Sequence, residues 1–142
     1  MFDFPVMLTP DEGTMLVVAD SAGAAIGFWQ PNQHHGFTER GEHGTPYWFE
    51  SHTTDYAKSL DFYTRVLGMR METFVGGTPP VERQALVFGA QKINLHVRGR
   101  EFEPKAHLPV PGALDLCFIA SVPLAQVVER LQAADWPVIE GP

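Results

Sequence analysis

The stretch Gly44–Gly68, GTPYWFESHTTDYAKSLDFYTRVLG, contains a strand pattern followed at once by a helix pattern. Its first part, Pro46–Thr53, mixes aromatic and polar residues and predicts a strand, in which every second side chain points to the same face. Thr54–Leu67 predicts an amphipathic helix, because apolar residues recur at helical spacing, and Gly68 supplies the left-handed residue that commonly ends a helix. The remaining elements can be placed around this strand and helix.

The flanking sequence predicts more strands and one more helix. Downstream strands are predicted at 69–75, 83–88, 91–97, 113–120 and 136–140, a helix at 123–134, and upstream an extended piece at 5–9 and a hairpin at 14–19 and 24–30. Residues 44–98 therefore form one βαβββ unit, whereas the C-terminal part gives only β, α and β. These patterns predict an α+β fold.

The composition restricts the class of partner. The chain has 142 residues, which favours a single domain, and its net charge of −7 argues against nucleic acid or an anionic membrane as partner. No apolar stretch approaches the roughly 20 residues of a membrane span, and the N-terminus lacks the features of a signal peptide, so a cytoplasmic protein is predicted. The single cysteine, Cys117, excludes an internal disulfide and is expected to be a buried structural thiol.

Histidines occur in two segments that suggest different interpretations. Trp48, Glu50 and His52 alternate along the predicted strand and share one face, which makes this strand the most site-like element of the chain. His34, His35 and His43 instead lie in a polar linker without cysteine, where solvated side chains are the more common finding.

Several motifs together resemble the vicinal oxygen chelate superfamily, which includes glyoxalase I, bleomycin-resistance proteins and extradiol dioxygenases. MLVVADSAGAAIGFWQP at 15–31 and the stretch 44–67 are similar to two-module glyoxalase/bleomycin-resistance proteins. FYTRVLGM, QKINLHVRGREFEPKA and LDLCFI are similar to another branch, the glyoxalase-domain-containing-5-like proteins. The resemblance implies paired βαβββ modules around a cupped mixed sheet, in an order that looks permuted. The chain is accordingly interpreted as recombined or engineered, or as a fragment of a longer repeat.

The resemblance also implies how the modules are divided. Within a single domain of 1–142, residues 44–98 are the complete module, and 111–142 together with 1–31 form the split second module. The second module is completed either within one chain or by exchange between the two chains of a homodimer, because the connecting linkers are long.

The family's four metal positions fall on Trp48, His96, Asp115 and Gly27. Of these, only His96 and Asp115 have side chains that can bind a metal, and Glu50 is the best candidate to replace the ligand lost at Trp48. A site made of His96, Asp115 and Glu50 would suit Fe(II), Mn(II), Ni(II) or Zn(II), and Glu50 could also act in catalysis by moving a proton.

Simpler interpretations of the same residues stay open. His96 could be hydrogen-bonded to Asn94 or Glu50 without a metal, Asp115 could pair with Lys92 or His96, and Glu50 could face solvent. The residues predicted to line the substrate pocket are Trp29, Trp48, His52, Asn94 and Cys117. Either tryptophan could serve as packing or as a stacking surface for an aromatic ligand.

Three functions follow as hypotheses. The first is a divalent-metal-dependent lyase, isomerase or dioxygenase acting on a small substrate with vicinal oxygens. The second is a binding protein of the bleomycin-resistance type, which holds a drug-like or aromatic small molecule without chemistry. The third is a recombined scaffold without a selected function.

Overall fold

Two four-stranded sheets of mixed strand direction make up the computed structural model, which describes residues 11–141. The strands are β1 (Gly13–Ala19), β2 (Ala25–Pro31), β3 (Phe49–Thr53), β4 (Arg70–Gly76), β5 (Val81–Phe88), β6 (Gln91–Val97), β7 (Asp115–Ile119) and β8 (Val138–Glu140). The helices are α1 (Tyr56–Asp61), continued by the π-helical segment Phe62–Val66, and α2 (Leu124–Ala133). The α+β class with paired sheets is confirmed, while the extended piece predicted at 5–9 lies outside the described residues.

Each sheet contains one parallel pair of strands at its edge. The first sheet has the order β3-β6-β5-β4, with β3 parallel to β6 and the other neighbours antiparallel. The second has the order β7-β2-β1-β8, with β7 parallel to β2. The N-terminal hairpin and the C-terminal β–α–β segment therefore share one sheet.

The first helix differs from the prediction, which placed one α-helix at 54–67. It begins later, because the Asp55 side chain accepts a hydrogen bond from the Lys58 amide at 3.0 Å and caps the helix at that point. After Asp61 the backbone widens into a π-helical segment, with the Leu67 amide donating to the Phe62 carbonyl five residues back. The wider turn allows the consecutive residues Phe62 and Tyr63 both to be buried.

One continuous core joins both sheets and both helices. Its buried residues come from β1 and β2, from the π-helical segment, from β5 and β6, and from α2: Leu16, Val18, Ile26, Phe28, Phe62, Tyr63, Val66, Met69, Leu86, Ile93, Leu124, Val127 and Leu131. Burial of this apolar surface is the main force that holds the two sheets together.

A buried carboxylate ties the helix to the N-terminal hairpin. Asp20 is 5% exposed, and its Oδ1 accepts hydrogen bonds from the amides of Ala22 and Ala24 at 2.8 and 2.9 Å. Its Oδ2 accepts the Tyr63 hydroxyl at 2.8 Å. The turn residue that shapes the hairpin therefore also anchors the π-helical segment.

The predicted burial of Cys117 is wrong. Burial alternates along β7, and Cys117 lies on its exposed face. Asp115 is exposed for the same reason, so the cost of burying an unpaired carboxylate does not apply to it.

Among residues 11–141, no helix is both long and apolar enough to cross a membrane.

Candidate metal centre

The parallel pairing of β3 with β6 sets two histidines side by side. His52 is the register partner of His96, and their imidazole rings stack with centroids 4.7 Å apart and an interplanar angle of 18°. Glu50 lies two residues before His52 and therefore projects from the same face of β3. These three residues are called the Glu–His–His cluster below.

The ligand atoms of the cluster are close together and shielded from water. His52 Nε2 lies 3.2 Å from Glu50 Oε2, and His96 Nε2 lies 3.8 Å from Glu50 Oε1. The side chains of His52, His96 and Glu50 are 6%, 0% and 11% exposed. Potential ligand atoms from all three lie within 4.8 Å of one another.

The Glu50 carboxylate is held by donors on both oxygens. Oε1 accepts the Trp48 indole N–H at 2.6 Å, and Oε2 accepts the Ala106 amide at 2.8 Å and contacts His52. Burial by itself raises the pKa of the Glu50 carboxyl, but these hydrogen bonds outweigh it and hold the pKa below its usual range. Glu50 is therefore ionised near neutral pH.

The surroundings of the His96 imidazole favour its uncharged form. Burial lowers the pKa of His96 below its usual range, and the nearby Glu50 charge offsets this only in part. Near neutral pH the ring is uncharged, which is the form that binds metal ions.

Unpartnered polar atoms concentrate on this face of the sheet. Among residues 11–141, every buried side-chain nitrogen or oxygen that lacks a hydrogen-bond partner belongs to a residue of this face: His52 Nδ1, Arg83 Nε, Asn94 Oδ1, His96 Nδ1 and His96 Nε2. Buried polar atoms are normally paired, so these atoms offer contacts to an ion, a water molecule or a ligand.

Arg83 is the residue of this face that the sequence prediction missed. It lies on β5, a strand with neighbours on both sides, and is only 6% exposed. The signal in the sequence was a charged residue in a central strand. Arg83 lies on the same strand face as Ala85, which pairs with Asn94. Such a position normally calls for a buried apolar side chain.

Residues 98–112, called the strap below, cover the cluster. The Phe102 ring packs on the His96 imidazole with centroids 4.1 Å apart and lies 4.9 Å from the Arg83 guanidinium carbon. Arg83 Nη2 donates to the Glu103 carbonyl oxygen, and the Ala106 amide donates to Glu50. A backbone loop and one aromatic ring thus separate the cluster from solvent.

The structure separates the predicted site residues into two places. Trp48, His52 and Asn94 lie with Glu50 and His96, and Trp48 stands at the rim, 44% exposed. A second group, made up of Trp29, Asp115 and Cys117, lines a different cavity of about 1060 Å³ beside β7. The structure therefore does not bring Asp115 to the Glu–His–His cluster.

The donor set of the cluster fits a divalent metal ion. Two imidazoles and one carboxylate are common ligands of divalent transition metals, at bond lengths of about 2.0–2.2 Å. Both ring nitrogens of His96 are buried and unpartnered, and a bound ion would satisfy one of them. The three residues could thus hold one ion.

The comparisons with known proteins agree with this fold. The family model described as Glyoxalase/Bleomycin resistance protein/Dioxygenase superfamily matches residues 46–142. The chain is 47% identical over 89 residues to virulence protein STM3117 of Salmonella typhimurium and 50% identical over 88 residues to glyoxalase domain-containing protein RDO1 of Mycosarcoma maydis. These matches cover 63% and 62% of the chain but only 58% and 47% of the two relatives.

A solved structure supports the same assignment. The crystal structure of STM3117 superposes with a TM-score of 0.61 at 40% identity, over 75% of this chain and 77% of that one. These matches do not support the interpretation of a recombined chain. The chain belongs to the glyoxalase/bleomycin resistance protein/dioxygenase superfamily.

Proposed function

We propose that the chain is a divalent-metal-dependent enzyme of the lyase or dioxygenase kind, which acts on a small substrate with vicinal oxygens. The observation that carries this proposal is the Glu–His–His cluster, whose ligand atoms lie within 4.8 Å of one another in a buried setting. Glu50, His52 and His96 would hold the metal. His52 takes the place of Asp115, which lies with the residues of the other sheet.

The metal, when bound, would act as a Lewis acid toward the substrate's oxygens. The chain's own residues position and protect the reacting groups. Trp48 and the Ala106 amide fix the Glu50 carboxylate, and Phe102 excludes water above His96. The ionised Glu50 carboxylate could also accept a proton from the substrate.

The ligand types restrict the choice of metal. Two neutral imidazoles with one carboxylate suit Fe(II), Mn(II), Ni(II) or Zn(II), whereas Mg(II) and Ca(II) prefer oxygen ligands throughout. The identity of the metal follows from reconstitution with each ion in turn.

Metal stoichiometry after reconstitution and desalting tests the proposal. We expect close to one ion per chain in the wild-type protein and loss of at least about 90% of it in His96→Ala and His52→Ala, because each removes one of three ligands. Asp115→Asn is the matched control and is expected to retain the metal. A wild-type protein without metal would contradict the proposal. Loss of metal in Asp115→Asn, with retention in His52→Ala, would instead support the ligand set predicted from the sequence, His96, Asp115 and Glu50.

A binding protein without chemistry is the second candidate. The cavity of about 1060 Å³ supports it, because its lining includes the aromatic side chains of Phe28, Trp29 and Phe118. We expect an aromatic ligand of this cavity to quench Trp29 fluorescence whether or not a chelator is present. Quenching that disappears with chelator or persists in Trp29→Phe would contradict binding at this place.

A homodimer, with or without exchange of modules, and a cytoplasmic location stay predictions from the sequence. Sedimentation of the purified chain measures the first.

A further inference from the structure

Arg83 is a buried cation, and within residues 11–141 it forms no ion pair with an acidic side chain. Among the described residues, no carboxylate lies within 4.0 Å of its guanidinium, and Nη2 donates to the Glu103 carbonyl oxygen. Its Nε is buried and unpartnered. A guanidinium removed from water is costly unless an anion compensates it, so this position calls for a negatively charged group.

The guanidinium presents its two-pronged edge. Nε and Nη2 lie in the guanidinium plane along the same edge and together match the two oxygens of a carboxylate. Nη2 is occupied only by a backbone carbonyl, and Nε is unoccupied. Gly77 leaves room for this arrangement, because a Cβ at that position would collide with Arg83 Nη2.

Arg83 lies next to the Glu–His–His cluster. The antiparallel register pairs Gln84 with Leu95, which places Arg83 across from His96 on the same face of the sheet. The Phe102 ring packs against both side chains, at 4.9 Å from the guanidinium carbon and 4.1 Å from the imidazole centroid. The strap therefore places an aromatic ring and a carbonyl oxygen between Arg83 and the cluster.

We propose that this position binds an aromatic carboxylate, which replaces the Phe102 ring and the Glu103 carbonyl when the strap moves aside. The carboxylate bonds to Arg83, and the ring lies against His96. The proposal rests on the proposed function, because the Glu–His–His cluster is the reacting end of the same site. It makes Arg83 the residue that selects anionic substrates.

Titration of the metal-free protein with benzoate and with benzamide tests the proposal. The two molecules have nearly the same shape, and only benzoate carries the charge. We expect benzoate to bind at least about tenfold more tightly, as measured by calorimetry and by the fluorescence of Trp48, whose indole bonds to Glu50.

Substitutions at Arg83 and Phe102 test whether benzoate binds at this position. Arg83→Met is expected to weaken benzoate binding about 10- to 100-fold and to abolish the preference over benzamide. Arg83→Lys should retain part of the preference, and Phe102→Ala should strengthen benzoate binding by removing the competing ring. Arg65→Met is the control, since Arg65 is 59% exposed and pairs with Asp61 on the helix surface.

The outcomes separate this proposal from the proposed function. Equal binding of benzoate and benzamide by the wild-type protein overturns it without any variant, and so does unchanged benzoate binding in a folded Arg83→Met protein. Benzoate selectivity through Arg83 in a chain that binds no metal would support the anion site and contradict the metal enzyme. Stoichiometric metal binding without benzoate selectivity would support the metal enzyme and contradict the anion site.

Discussion

Replacing Phe62 by alanine is expected to lower the free energy of unfolding by about 3–5 kcal/mol. Phe62 is fully buried at the centre of the shared core, where its ring stacks on Trp136 with centroids 4.5 Å apart. It also meets Tyr63 edge to face at 5.0 Å. Removal of the ring leaves a cavity between elements of both sheets, which the rigid surroundings fill only in part.

Urea denaturation followed by circular dichroism measures this loss. Phe37→Ala is the matched control, because Phe37 is 50% exposed and its truncation is expected to change the free energy of unfolding by less than about 0.5 kcal/mol. A loss below about 1 kcal/mol in Phe62→Ala would show that the core does not join the two sheets through this ring.

Replacing Asp20 by alanine is expected to cost about 3–5 kcal/mol of unfolding free energy. The change removes the acceptor of two backbone amides and of the Tyr63 hydroxyl, all at 2.8–2.9 Å. Tyr63→Phe removes only one of these hydrogen bonds and should cost about 1.5–3 kcal/mol.

The double-mutant cycle distinguishes a direct bond from two independent effects. If Tyr63 acts through Asp20, the cost of Tyr63→Phe should shrink by about 1 kcal/mol or more when Asp20 is already alanine. Fully additive losses would contradict the bond between the helix and the hairpin.

The hydrogen bond between Tyr63 and Asp20 also makes stability depend on pH in the alkaline range. Burial, and then the negative charge of Asp20, raise the pKa of the Tyr63 phenol above its usual range. Because the folded pKa lies above the unfolded value of about 10, this stabilising contribution is complete below about pH 10 and is lost progressively above it. The contribution should be absent from the alkaline stability curve of Tyr63→Phe.

Periodicity was sufficient to predict most of the fold. Alternation located the strands of both sheets, and helical spacing located α1 and α2, because these patterns reflect local burial. The π-helical segment Phe62–Val66 escaped prediction, since it depends on how two consecutive aromatic residues pack into a core assembled from distant parts of the chain.

The site was less accessible to sequence reasoning. The sequence predicts Glu50 and His96 as site residues, but the contact between His52 and His96 depends on the register of two strands about 40 residues apart. The family resemblance predicts Asp115 beside His96, whereas in the structure Asp115 lies in the other sheet. Arg83 was missed because its role depends on the strap, an irregular segment whose path has no periodic signal.

X-ray absorption at the metal edge of the reconstituted protein tests the central claim most directly, since it counts ligands around the ion. We expect the signature of two imidazoles and an oxygen ligand at about 2.0–2.2 Å in the wild-type protein and in Asp115→Asn, and almost no signal of a bound ion in His52→Ala, which loses the metal. A single imidazole in the wild-type spectrum, or a spectrum unaffected by His52→Ala, would contradict a metal centre built from Glu50, His52 and His96.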